Sequence, residues 1–154
     1  MSERPEIIIY TDGSCSPNPG RGGWAAILFN ETHKREVCGG ELHTTNNRME
    51  LIAVVEALKR IKQPSKIVLH SDSKYVIEGV SSWLEGWKAK GFKKVKNPEL
   101  WMQLDELIQP HSINWVWVKG HEGVSMNERA DALANEGRLR QKVTSTLLLL
   151  TKAD

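Results

Sequence analysis

Ile7-Ile8-Ile9-Tyr10-Thr11-Asp12-Gly13-Ser14-Cys15 is the stretch that decides the fold. β-Branched and aromatic residues fit a pleated, buried surface. A near-continuous apolar run of this kind reads as a central strand covered on both faces. The chemistry then changes at Asp12. A carboxylate at the C-terminal end of a buried strand lies where open α/β sheets place their ligand crevices. An isolated Asp-Gly pair also opens turns, so the functional reading depends on repetition. A second strand, Lys66-Ile67-Val68-Leu69-His70-Ser71, ends the same way, on Asp72.

Outward from these two strands the chain falls into order. Ser16 to Gly23 is a loop of turn residues. Trp24 to Phe29 and Arg35 to Leu42 read as strands joined by the short polar link Asn30 to Lys34, as in a hairpin. Thr44-Thr45-Asn46-Asn47 supplies N-cap residues for a helix to about Ile61, with Leu51, Val54, Val55, Leu58 and Ile61 as its buried face and Pro64 as its stop. Short helices follow over Ser73 to Val80 and Ser82 to Lys90, then Pro98 to Ile108. The fifth strand is Ile113 to Val118, and the last helix runs from about Ser125 to Arg140. This order predicts an α/β fold: a five-stranded mixed sheet, three antiparallel strands then two parallel ones, flanked by helices. Right-handed crossovers set the fourth strand beside the first and parallel to it. Neighbouring strands lie ~4.8 Å apart, so Asp12 and Asp72 at one end could share a metal ion.

A chain of 154 residues with 40% hydrophobic and 26% charged residues reads as one globular domain. Residues 1–142 are expected to form it, with 143–154 as a C-terminal tail. No apolar run approaches the ~20 residues of a membrane span, and Met1-Ser2-Glu3-Arg4-Pro5 has no signal-peptide core. Cys15 and Cys38 make neither a disulfide framework nor a metal-ligand spacing, which suits a reducing, cytoplasmic setting. The net charge of +2 is uneven. Lys88, Lys90, Lys93, Lys94 and Lys96 stand together with no acid among them, and without these five the chain is at −3. The tail holds Leu147-Leu148-Leu149-Leu150, too short to span a membrane and too apolar for water, and is expected to dock on its own domain or on another copy.

Two more acids have suggestive positions. Glu50 precedes Leu51 and Val54, so it borders the buried helix face; Asn47-Arg48-Met49-Glu50 also resembles a capping box. Asp131 lies in the first turns of the last helix, where an acid also complements the helix dipole.

Taken together, Thr11-Asp12-Gly13-Ser14-Cys15, Asn18-Pro19-Gly20, Thr45-Asn46-Asn47-Arg48-Met49-Glu50, Ser71-Asp72-Ser73, and His121 with Asn127-Glu128-Arg129-Ala130-Asp131 resemble bacterial type 1 ribonuclease H, in the right order over roughly residues 6 to 140. The resemblance implies that Asp12, Glu50, Asp72 and Asp131 bind two Mg²⁺ ions, with Mn²⁺ as a substitute, and that His121 assists proton transfer or product departure. It implies a substrate too, an RNA–DNA hybrid duplex cut within the RNA to leave 5′-phosphate and 3′-hydroxyl ends. Asn18, Thr45, Asn46 and Asn47 are the expected substrate-binding groups near the cleft. A protein tells RNA from DNA through the 2′-hydroxyl, both donor and acceptor. Lys74 stands where relatives often carry glutamine; it can touch phosphate but cannot accept a hydrogen bond.

Residues 82–97 resemble the family's basic handle, a few residues shorter than usual. Its lysines are expected on substrate phosphates, with Trp83 and Trp87, four apart, mainly supporting the protrusion. Two alternatives are another nuclease on the same scaffold, such as a transposase or integrase core, and a catalytically inactive hybrid-binding module. The asparagine motif and the handle argue against the first. All four acids argue against the second, because a binder of phosphates gains nothing from clustered negative charge. The chain is expected to be monomeric and not membrane-bound.

Overall fold

The computed structural model describes residues 4–119 and 125–153, with residues 125 and 141–153 given by their backbone alone. Strands β1 (Glu6–Cys15), β2 (Gly20–Phe29), β3 (Lys34–Thr44), β4 (Lys66–Ser71) and β5 (Ser112–Trp117) form one sheet in the order β3-β2-β1-β4-β5. β1 pairs antiparallel with β2, and β2 with β3, while β4 and β5 add in parallel. The strand that carries the apolar run Ile7 to Ile9 is thus the central strand of the sheet.

Strand alternation divides the core into two layers. Ile9, Ala26, Leu28, Ile67 and Leu69 face one side, where Leu51, Val54, Val55 and Leu58 of α1 (Asn46–Lys59) meet Trp101 and Leu104 of α4 (Pro98–Ile108). Ala25 and Ile27 face the other side, against Ala130, Leu133 and Ala134 of the last helix (Ser125–Ala153). That helix lies very close to β2. A Cβ on Gly23 would collide with the carbonyl oxygen of Ala134, so only glycine lets the helix down onto the sheet and carries Asp131 to the level of Asp12.

Between β4 and α4 the chain makes α2 (Lys74–Glu78), one π-helical turn (Gly79–Trp83) and α3 (Leu84–Ala89), which together carry the handle. The last helix, α5, follows β5.

Several boundaries differ from the sequence reading, and β2 begins at Gly20, inside the stretch read as a loop. β1 does not end at Asp12 but continues to Cys15, because Gly13, Ser14 and Cys15 pair with Trp24, Gly23 and Gly22 of β2; the turn comes after the strand, at Ser16. The cap of α1 is Thr45, whose Oγ1 accepts from the Arg48 amide at 3.2 Å. Glu50 therefore sits beyond the third helical residue, where a capping-box acid would stand. α5 continues past Arg140 to Ala153; nothing after Gly137 is glycine or proline, and leucine, lysine and glutamine are good helix formers. The leucine side chains expected to dock lie outside the described residues.

Candidate active site

The parallel pairing of β1 with β4 ends at Tyr10 and His70, which face one another. Asp12 and Asp72 each lie two residues further on. Equal register therefore brings the two acids side by side at the C-terminal edge of the sheet. Glu50 enters from the second turn of α1, which begins directly above this edge. Oxygens of Asp12, Glu50 and Asp72 all lie within 4.8 Å of one another. Asp131 of α5 lines the same cleft, of about 440 Å³. Its carbonyl and Oδ2 accept from Asn135 Nδ2 at 3.1 and 3.5 Å. Ser14 Oγ in turn donates to Asn135 Oδ1 at 2.8 Å, tying α5 to β1 beside the acids.

Close approach of α1 to β1 depends on Gly13. A Cβ there would stand 2.5 Å from the Glu50 amide nitrogen and 2.8 Å from Glu50 Oε1. The Asp-Gly pair that resembles a turn is thus a strand position kept bare so that Glu50 can reach Asp12.

Asp12 and Glu50 are 5% and 3% exposed, too buried to hold charge cheaply. Burial, and then the neighbouring charge of Asp72, raises the Asp12 carboxyl from its ordinary 3.8 to about 8. Burial, followed by Asp12 and Asp72, likewise pushes Glu50 well above its ordinary value. Glu50 Oε1 is buried with no hydrogen-bond partner among the described residues. Clustered acids that repel one another, with an orphaned buried oxygen among them, fit a cation. Their all-oxygen donor set suits a hard divalent ion such as Mg²⁺ or Mn²⁺.

Around this cleft, Asn18 Oδ1 accepts from the Asn46 amide at 3.1 Å, pinning the loop after β1 to the start of α1. Asn46, Asn47 and Lys74 line the cleft. Thr45 is the cap of α1. His121 lies outside the described residues.

In the handle, Trp87 packs edge-on against the buried Trp101 with centroids 5.0 Å apart, and Trp83 tilts against Trp87 at 5.7 Å. Trp83 is itself 41% exposed. Lys88 is held by Asp105 at 3.3 Å and Glu85 at 3.7 Å. Lys90, Lys93, Lys94 and Lys96 are exposed and form no ion pair among the described residues. Sequence reasoning missed two groups. Arg48 joins Glu41 (2.8 Å) to Glu99 (2.7 Å) and Asn97 (3.2 Å), bracing the handle's exit against the start of α1; its place inside the Asn-Asn-Arg-Met-Glu motif was the available signal. The other, Trp117, donates through Nε1 to the Asp72 carbonyl at 3.3 Å, which no sequence pattern marks.

The RNase H family model matches residues 4–138. This chain belongs to the RNase H family. A ribonuclease H from Cupriavidus pinatubonensis is 56% identical over 137 residues, covering 86% of this chain and 94% of that protein. A ribonuclease HI from Caulobacter vibrioides is 55% identical over 142 residues, covering 89% and 95%. Among solved structures, LC9-RNase H1, a type 1 RNase H with the type 2 active-site motif, superposes with a TM-score of 0.83 at 30% identity, over 92% of this chain and 75% of that one. In this RNase H fold the acid cluster occupies the sheet edge, and the cleft is the enzyme's candidate active site.

Proposed function

We propose that this ribonuclease H cuts the RNA strand of RNA–DNA hybrids by a two-metal-ion mechanism, leaving 5′-phosphate and 3′-hydroxyl ends. The observation that carries the reading is the cluster of Asp12, Glu50 and Asp72 oxygens within 4.8 Å, two of the three acids buried. A phosphodiester is anionic and repels a nucleophile, so the site must first supply positive charge. Two divalent ions bound among these acids would activate water on one side of the phosphorus and stabilise the leaving oxygen on the other.

The chain's own residues do the rest. Asp12, Glu50, Asp72 and Asp131 hold the ions, Mg²⁺ by preference and Mn²⁺ as a substitute. Glu50 Oε1, with no hydrogen-bond partner among the described residues, is ready for that role. Asn18 holds the start of α1, so that Asn46 and Asn47 can meet the minor groove and read 2′-hydroxyls. The exposed lysines of residues 82–97 hold phosphates further along the duplex. His121 assists proton transfer or product departure. Residues 1–142 form the catalytic domain in this reading, and the chain acts as a monomer in the cytoplasm.

The test is a cleavage assay on labelled RNA–DNA, RNA–RNA and DNA–DNA duplexes with Mg²⁺ or Mn²⁺. The expected result is internal cutting of RNA in the hybrid alone, with 5′-phosphate products. Binding of hybrid without cutting would make the chain an inactive binding module, and cutting of DNA–DNA would make it a different nuclease.

A further inference from the structure

The acidic cleft contains one cation among its described lining residues, Lys74. A lysine beside four carboxylates would ordinarily pair with one. Lys74 does not: among the described residues it forms no ion pair. Its Nζ stands instead over the ring of Trp117, 5.0 Å from the centroid. Trp117 is two residues beyond Trp115, which packs on the core; with the same strand phase but past the end of the core, it is 42% exposed. Its indole is not loose, because Nε1 donates to the carbonyl of Asp72, a member of the acid cluster.

The two kinds of partner differ in consequence. A carboxylate would neutralise the ammonium, whereas an aromatic face attracts it electrostatically and leaves its charge in place. Lys74 is therefore fixed at the cleft with its charge unspent. The anion that the proposed reaction brings to the cleft is a phosphate.

We propose that Trp117 is a positioning residue that holds Lys74 for one backbone phosphate of the RNA strand, beside the phosphate that is cut. This rests on the ribonuclease H reading and adds to it a residue that the reading does not contain. Lys74 touches the substrate, and Trp117 acts through Lys74. The contact is made alike in the ground state and the transition state, so it shows in KM and in salt dependence, with little effect on kcat.

The experiment compares the full chain with Lys74→Gln, Trp117→Leu, Trp117→Phe and the Lys74→Gln/Trp117→Leu double variant, on a hybrid with one defined cut site. Lys74→Gln should raise KM roughly tenfold, as for loss of a hydrogen bond to a charged group. It should also flatten the log–log salt slope by ~0.7–0.9, the value of one phosphate contact. Trp117→Leu should move both quantities the same way, Trp117→Phe, which keeps the aromatic face but loses the Nε1 donor, should restore them in part, and the double variant should be no worse than Lys74→Gln. Replacing RNA phosphates one at a time by uncharged methylphosphonate should weaken the wild type at one position where Lys74→Gln is indifferent. Lys74 is exposed, so its variant should fold even if Trp117→Leu does not, and an unchanged salt slope in Lys74→Gln overturns the proposal. So does a Trp117→Leu effect that adds in full to that of Lys74→Gln, since Trp117 would then meet the substrate itself. A wild type that binds hybrid but never cuts it would sink the proposed function and not the pairing, which would still be read in the salt slope of binding.

Discussion

The acid cleft and the lysine handle are charged in opposite senses and built in opposite ways. The acids come from β1, α1, the residue that follows β4, and α5, and Asp12 and Glu50 are almost wholly buried. The lysines come from one continuous segment and, apart from Lys88, stand in solvent. The backbone follows suit. The cleft sits on paired strands and a capped helix. The handle leaves through a π-helical turn and then a coil in which Gly91, Phe92, Lys94 and Asn97 all adopt positive φ. Fixed, desolvated charge suits chemistry, where geometry sets the rate. Exposed, sequence-local charge suits phosphate binding, where counterion release supplies the affinity and exact placement matters little.

The largest effect that can break this contrast belongs to the cleft. Asp12→Asn keeps the shape of the side chain and removes charge that holds metal. It should lower kcat by about 10³ or more, several kcal/mol of lost charge stabilisation, while hybrid affinity changes little. A folded Asp12→Asn protein that still cuts hybrid at a substantial rate with Mg²⁺ would contradict the assignment.

A smaller effect, in KM, belongs to the handle. Changing Lys90, Lys93, Lys94 and Lys96 to Gln together should raise KM much more than it lowers kcat. It should also flatten the salt slope by about 3 if all four meet phosphate. Lys88→Gln alone should do far less, because Asp105 and Glu85 already hold that ammonium. Cleavage measured across a salt series separates the two. A large fall in kcat with KM and salt slope unchanged would show the handle acting in the chemical step.

The smallest effect is on stability and depends on pH. Asp12 titrates near 8 in the folded protein against an ordinary 3.8. Between those values the folded chain binds more protons than the unfolded one. Metal-free stability should therefore fall as pH rises through that window, with no penalty below it and the full penalty above about pH 8. Metal requires the deprotonated form, so Mg²⁺ should raise Tm more at pH 8 than at pH 5.5. In the metal-free protein at pH 8, Asp12→Asn should itself melt higher. Relief of a single pKa unit is worth ~1.4 kcal/mol, or ~3–6 °C for a domain of this size. Calorimetry at the two pH values checks both statements, and equal gains at both would mean the acids are not crowded.

The difference between the regions also decided what the sequence could reveal. The β1 and β4 acids were legible because each interrupts an apolar run at the same register, two residues past the paired Tyr10 and His70. Glu50 was ambiguous, since helical spacing puts it at the border of a buried face and a capping motif accounts for it equally well. Only the bare Gly13 surface beneath it shows why it turns inward. Asp131 was legible only through the motif Asn127 to Asp131, since the helix dipole accounts for its position equally well and its place at the cleft depends on how closely α5 settles over Gly23. The handle was legible as composition but not as contacts. The pairing of Lys88 with Asp105 joins separate helices, and no local rule connects them. Trp117 reads as one more strand aromatic until the end of β5 is seen beside Asp72.

The proposed mechanism requires this carboxylate cluster to hold two metal ions against the substrate. The most direct measurement is the number of Mn²⁺ ions bound per chain, by titration and paramagnetic resonance, with a hybrid carrying a 2′-deoxynucleotide at the cut site so that it persists uncut. Two ions per wild-type complex are expected, and fewer in Asp12→Asn. A single ion in the wild type, or two retained without the Asp12 carboxylate, would contradict it.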